Sequence, residues 1–274
     1  MEERRARLGS QFPHGSGLIE AESISKRFRD RHAVVGVSFA IARGTVAGLL
    51  GVNGAGKSTT MRLLAGYLVP DRGRAAIAGH DTIAAAIAAR AALGYLPEAP
   101  SGFPHLTVRE FLGFAAECRG FAGVRRQRAV GRAAEVLDLG PALDRTLGAL
   151  SKGWRQRAWL AQAILHDPPV LLLDEPADGL DPGQRAQFRQ YVRSIAACRA
   201  VLMSTHILEE AGVMCDRLIV MHAGRVVADG PTSGFLDEQG RLGPAFARMT
   251  GAGEMRISET GIAETGIAET GVGA

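Results

Sequence analysis

The chain has 274 residues, 46% of them hydrophobic and 22% charged, with a formal net charge of +4. That length supports one domain with a large core, or one core carrying a subdomain, and no apolar run reaches the ~18–20 residues that a membrane-spanning helix needs. The basic balance raises anionic partners, but lysine occurs only at Lys26, Lys57 and Lys152, the rest being arginine, and no dense basic run forms, so no nucleic-acid partner is expected.

The segment 1–17 is charged and Gly-rich, without the apolar stretch of a secretory signal. It reads as disordered, and a cytoplasmic location is expected. Leu18 to Ile24 reads as a strand. Val34 to Ile41 reads as a second, with Val35, Val37, Phe39 and Ile41 on one face. Thr45 to Leu50 is a short apolar run of the kind buried on both faces of a sheet. A Gly-rich turn and a helix from about Lys57 to Gly66 follow it. Ala75 to Ala78 and Leu93 to Leu96 are short strand candidates around an Ala-rich helix near Ile83 to Arg90. From Thr107 to about His166 the apolar spacing turns helical, through Val108, Phe111, Leu112 and Ala115, and predicts an inserted helical subdomain. Val170 to Leu173, Ala200 to Ser204 and Arg217 to Met221 resume the alternation of strand and helix, which predicts a mainly parallel sheet. The tail 251–274 holds the repeat GIAETGIAETG and reads as disordered. Cys118, Cys198 and Cys215 show no CxxC or metal spacing and read as free thiols.

Three groups of residues carry chemistry. The first is GVNGAGKST, Gly51 to Thr59, which fits G-x-x-x-x-G-K-[ST] after a strand and before a helix. Its glycines let backbone N–H groups turn around phosphate oxygens, and the helix start adds partial positive charge. Gly51, Asn53, Gly54, Ala55, Gly56, Lys57, Ser58 and Thr59 form the candidate phosphate cradle. Lys57 reaches the outer phosphates, and Ser58 can ligate Mg²⁺. The second is VLLLDEP, Val170 to Pro176, which places two acids at the end of a buried strand. Asp174 is the candidate Mg²⁺ ligand and Glu175 the candidate general base for the attacking water. These two groups together describe only a P-loop NTPase that works with Mg²⁺.

The third group narrows the class. LSKGWRQR, Leu150 to Arg157, resembles the LSGGQ signature of ABC (ATP-binding cassette) ATPases, with Ser151 as N-cap and Gly153 in the first turn. A second helix start with free N–H groups is a second anion site, which argues for a phosphate brought by another subunit. The resemblance runs from about Leu18 to about Thr250, and the order of phosphate loop, signature, acid pair and histidine matches the family. It implies that Gln156 joins Ser151 and Gly153 as trans signature residues. It implies that Asp181 in ADGLDP is a D-loop residue at the dimer seam, and that His206 in STH binds the γ-phosphate and orients Glu175. Phe28 falls where the family stacks adenine, and Glu98 of LGYLPE where the family has the Gln of its Q-loop, facing Mg²⁺. Lys152, Trp154 and Asp178 depart from the family's Gly, Gln and Ser.

The fold this implies is α/β. A P-loop core sheet carries an N-terminal antiparallel β-subdomain and an inserted helical subdomain at about 97–166, within an ATPase domain at 18–250. GYLPE, TVREFL and SKGWRQR look like the exporter branch. The partners implied are a second ATPase subunit, identical or related, and a transmembrane permease in a separate chain, with this chain peripheral on the inner face of the membrane. Phe103, Phe111 and Phe114 read either as permease-facing residues or as core of the helical subdomain.

Overall fold

The computed structural model describes residues 17–178, 180–237, 239–244 and 246. The segment 1–16 and the GIAET tail lie outside the described residues. In chain order the elements are β1 (Ile19–Phe28), β2 (Arg31–Ile41), β3 (Val46–Leu50), α1 (Lys57–Leu64), β4 (Arg72–Ile77), β5 (His80–Asp81), α2 (Ala86–Ala91) and β6 (Leu93–Leu96). The helices α3 (Val108–Cys118), α4 (Gly123–Val136) and α5 (Lys152–Ile164) follow. The chain continues through β7 (Val170–Asp174), α6 (Pro182–Ala196), β8 (Ala200–Thr205), α7 (Leu208–Met214), β9 (Arg217–His222) and β10 (Arg225–Pro231).

The strands form two sheets. An antiparallel sheet has the order β2-β1-β4-β5, and a six-stranded sheet has the order β10-β9-β3-β8-β7-β6. In the larger sheet β9, β3, β8, β7 and β6 run parallel, with β10 as an antiparallel edge. Every residue of β3, β7 and β8 is buried. Alternation then splits their side chains between two cores. Ala47, Leu49, Leu172 and Leu202 face the antiparallel sheet and α1, whereas Val46, Leu171, Leu173, Val201 and Met203 face the helical segment. The parallel sheet is thus covered on both faces, as its uninterrupted apolar strands require.

One strand departs from simple alternation. In β2 the buried residues are Val34, Val37, Phe39 and Ile41, while Val35 is only half-buried. The register against β1 shifts between Ile24 and Lys26, and Gly36 sits at φ +60 in that irregularity. The bulge moves the buried face by one residue, so Val34 takes the place expected for Val35.

The helical segment begins with a capping box. The Thr107 hydroxyl accepts from the Glu110 N–H, and the Glu110 carboxylate accepts from the Thr107 N–H. Phe111 is fully buried against Trp159, with ring centroids 4.8 Å apart, while Phe103 and Phe114 stay nearly half exposed. Phe111 is therefore a core residue, and the other two rings face solvent.

The seam between α5 and the sheet is tight at Gly94 of β6. A Cβ there would lie 2.3 Å from the Ala163 carbonyl oxygen and 2.6 Å from Leu171 Cδ2. Gly94→Ala is expected to lower stability by about 1–3 kcal/mol through overpacking, measured as a fall in the denaturant midpoint.

Candidate functional site

The phosphate loop hangs between the end of β3 and the start of α1. Its geometry depends on glycine. Gly56 caps α1 at φ +105, and a Cβ on it would lie 2.5 Å from the Ala33 carbonyl oxygen. No side chain caps α1 and no acid occupies its first turn. The first-turn N–H groups therefore face the loop's concavity without an internal competitor, which is the arrangement an anion fills. Lys57 is buried, and its Nζ donates to the Gly51 carbonyl at 2.7 Å. The same nitrogen lies 3.6 Å from Glu175 Oε1.

At the end of β7 the two acids part company. Asp174 is 1% exposed. Its Oδ1 accepts from Ser204 Oγ at 2.5 Å and lies 3.2 Å from Ser58 Oγ. Its Oδ2 is buried with no hydrogen-bond partner. Burial pushes the Asp174 carboxyl above its ordinary range, opposed by the Ser204 and Ser58 hydroxyls and reinforced by the nearby Glu98 and Glu175 charges. Glu98 is exposed, with Oε2 3.3 Å from Ser58 Oγ. One hydroxyl thus stands between two carboxylates beside the phosphate loop. An orphaned buried carboxylate oxygen, a serine hydroxyl and a second carboxylate make a hard oxygen set that fits Mg²⁺, which takes one or two carboxylates and completes its shell with phosphate and water.

Glu175 turns the other way. It sits at φ +49, a left-handed conformation uncommon for a residue with a side chain. That backbone directs its carboxylate to His206, whose Nδ1 lies 2.9 Å from Oε2. Its own N–H donates to Ser204 Oγ at 2.9 Å. Ser204 therefore holds both acids at once, one through its hydroxyl hydrogen and one through its oxygen. The sequence reading gave Ser204 no role of its own, and only its place between strand and histidine hinted at one. Behind His206, on α7, Glu210 pairs with Arg185 of α6 at 3.2 Å, and burial holds Glu210 above the usual carboxylate range.

The hairpin joining β1 and β2 closes over the loop. Arg31 Nη2 would lie 3.2 Å from a Cβ on Gly54, which brings the hairpin end to the phosphate loop. Phe28 is at that same end, 46% exposed, with Lys26 Nζ 5.9 Å from its ring centroid. An exposed ring beside this loop is open to stacking by a flat aromatic group.

The candidate signature lies at the start of α5. Ser151 is the N-cap of α5 in extended conformation, but its side chain makes no capping bond, and the first turn holds no acid. Its hydroxyl and the helix's first N–H groups are thus free to meet an anion. Gly153 sits in the first turn as expected, whereas Gln156 differs from expectation. Both lie on the buried stripe of α5 with Leu160 and Ala163. Gln156 Nε2 donates to the Pro176 carbonyl of its own chain at 3.3 Å, and a Cβ on Gly153 would lie 2.5 Å from Gln184 Oε1. The helical phase turns Gln156 inward, so its amide is spent within the subunit and does not face outward with Ser151. Asp181 is exposed and caps α6, accepting from the Gln184 N–H at 2.8 Å.

The ABC transporter family profile matches residues 34–178, more than half of the chain. The chain belongs to the ABC transporter family. It is 37% identical over 209 residues to the uncharacterized ABC transporter ATP-binding protein YxlF of Bacillus subtilis (strain 168), covering 76% of this chain and 69% of that one. It is 39% identical over 252 residues to the daunorubicin resistance ATP-binding protein DrrA3 of Streptomyces coeruleorubidus, covering 84% of this chain and 77% of the relative. A solved ATP-binding subunit of an ABC transporter superposes with a TM-score of 0.77 at 30% identity, over 85% of this chain and 99% of that one. As an ABC ATP-binding subunit, the protein binds nucleotide and hydrolyses ATP to power transport, working with transmembrane components and as a dimer. No helix among the described residues is long and apolar enough to cross a membrane.

Proposed function

We propose that this subunit powers an exporter whose permease is a separate chain, and that hydrolysis occurs between two ATPase subunits. Relatives named for daunorubicin resistance and for Nod factor export support the export direction. On this reading the subunit lies against the inner face of the membrane, and the exposed Phe103 and Phe114 face the permease.

The geometry supports these residue roles. The loop Gly51–Thr59 grips the triphosphate of ATP through backbone N–H groups, with Lys57 swinging from the Gly51 carbonyl to the outer phosphates. Phe28 stacks on the base. Ser58, Asp174 and Glu98 would hold Mg²⁺, which would supply neutralisation of phosphate charge when bound. Glu175 takes a proton from the attacking water, and His206 fixes the Glu175 carboxylate and reaches the γ-phosphate. The start of α5, with Ser151 and the Gly153 backbone, binds the phosphate of the partner's nucleotide, and Asp181 lies at the seam. The observation that carries this reading is the uncapped, acid-free start of α1 behind the Gly-rich loop, with Lys57, Ser58, Asp174 and Glu175 gathered beside it, and the open start of α5 at Ser151 supports the part given to a second subunit.

Two outcomes test it. Phosphate release per subunit is expected to rise with protein concentration, because each site is completed by a second chain, and a concentration-independent specific rate would contradict that. Phe28→Ala is expected to weaken ATP binding by about 1–3 kcal/mol, the range seen when a base loses an aromatic platform, with inorganic triphosphate binding unchanged in the same titration.

A further inference from the structure

The two side chains at which this sequence departs from the signature and D-loop patterns in charge touch each other. Lys152 Nζ lies 2.7 Å from Asp178 Oδ2. Lys152 is the first residue of α5. Asp178 closes the turn that begins at Glu175, its N–H donating to the Glu175 carbonyl at 3.1 Å. The bridge therefore joins the helix start that faces the partner's phosphate to the turn that aims the general base. Two neighbouring contacts cross the same gap: Gln156 to the Pro176 carbonyl, and Gly153 against Gln184.

Stability alone does not account for the pair. Both side chains are about half exposed, at 60% and 48%, and an exposed pair adds little to folding. A lysine at the first position of a helix also opposes the helix dipole, so its charge is placed against local preference. Asp178 supplies the compensating charge from the loop that follows Glu175.

We infer that the Lys152–Asp178 bridge is a positioning device that couples phosphate arrival at the start of α5 to the placement of the same subunit's Glu175. This rests on reading that helix start as the trans phosphate site. Lys152 and Asp178 act through the loop, and neither touches the reacting atoms of the subunit's own nucleotide. The bridge makes one site's occupancy felt at the other, so it contributes to cooperativity in ATP.

Charge exchange tests this in the full-length chain. Lys152→Asp and Asp178→Lys are each expected to lower kcat about three- to tenfold and to flatten the ATP dependence towards a Hill coefficient of unity. Nucleotide affinity of the single subunit and the thermal midpoint should hold. The double exchange restores the bridge with reversed polarity and is expected to return kcat and the Hill coefficient to within about twofold of the parent. A double exchange no better than the worse single variant would overturn the inference, since Lys152 would then act on phosphate directly. Unchanged kcat and cooperativity in the single variants would overturn it too, as would losses that track the thermal midpoint. Failure of the underlying reading shows separately, as a parent chain whose specific rate does not depend on protein concentration.

Discussion

Glu175→Gln is expected to keep ATP binding and to lower turnover by about 10²–10⁴, the usual worth of a positioned general base. The amide is nearly the same size, so the unusual backbone at φ +49 and the turn to Asp178 should survive. What is lost is the ability to take a proton. The hydrogen bond to His206 Nδ1, now 2.9 Å, can persist with the amide oxygen or nitrogen, according to the imidazole tautomer. Removing the charge 3.6 Å from Lys57 also frees that ammonium for phosphate, so affinity should hold or rise. Phosphate release and nucleotide titration measured on the same preparation separate the two effects. Turnover within threefold of the parent would remove Glu175 from the role of base.

Lys57→Ala acts on binding. Lys57 is the one lysine of the phosphate loop, buried and held by the Gly51 carbonyl at 2.7 Å. Charge-assisted hydrogen bonds are worth about 1.5–3 kcal/mol each, so ATP affinity should fall about 10- to 100-fold or more. The loss also leaves the buried Glu175 carboxylate without its lysine partner. Isothermal titration with ATP and Mg²⁺ reads the change. An unchanged dissociation constant would contradict the assignment of the phosphate loop.

The core strands were legible because β3, β7 and β8 are short apolar runs ended by polar or Gly-rich turns, a pattern that only a doubly covered sheet explains. The β5 pair His80–Asp81 is two polar residues long, and β10 mixes Val226 and Val227 with Asp229, Gly230 and Pro231, so neither has a period to read. Alternation puts Val35 on the buried face, whereas a bulge shifts the phase of β2, and a bulge has no signature in alternation alone. At the site, the phosphate loop and acid pair announce themselves by spacing, and the geometry brings Lys57, Ser58, Asp174, Glu175, Glu98 and His206 together. The family resemblance groups Gln156 with Ser151, whereas helical phase turns it inward, and linear sequence does not display that phase. Ser204 has no sequence signal of its own, because it acts sideways, from β8 onto Asp174 and Glu175 at the end of β7. The Lys152–Asp178 bridge joins residues 26 positions apart, and each alone looks like an isolated departure from a family pattern.

In the proposed cycle a triphosphate is held by the loop Gly51–Thr59 of one subunit and closed by the start of α5 from another. Sedimentation velocity of Glu175→Gln with ATP and Mg²⁺ tests it most directly. The account predicts a two-subunit species that appears only with ATP and Mg²⁺, and that disappears when Ser151 is replaced by a bulky acid such as Glu. A single-subunit species at saturating ATP, or a dimer indifferent to Ser151→Glu, would contradict it.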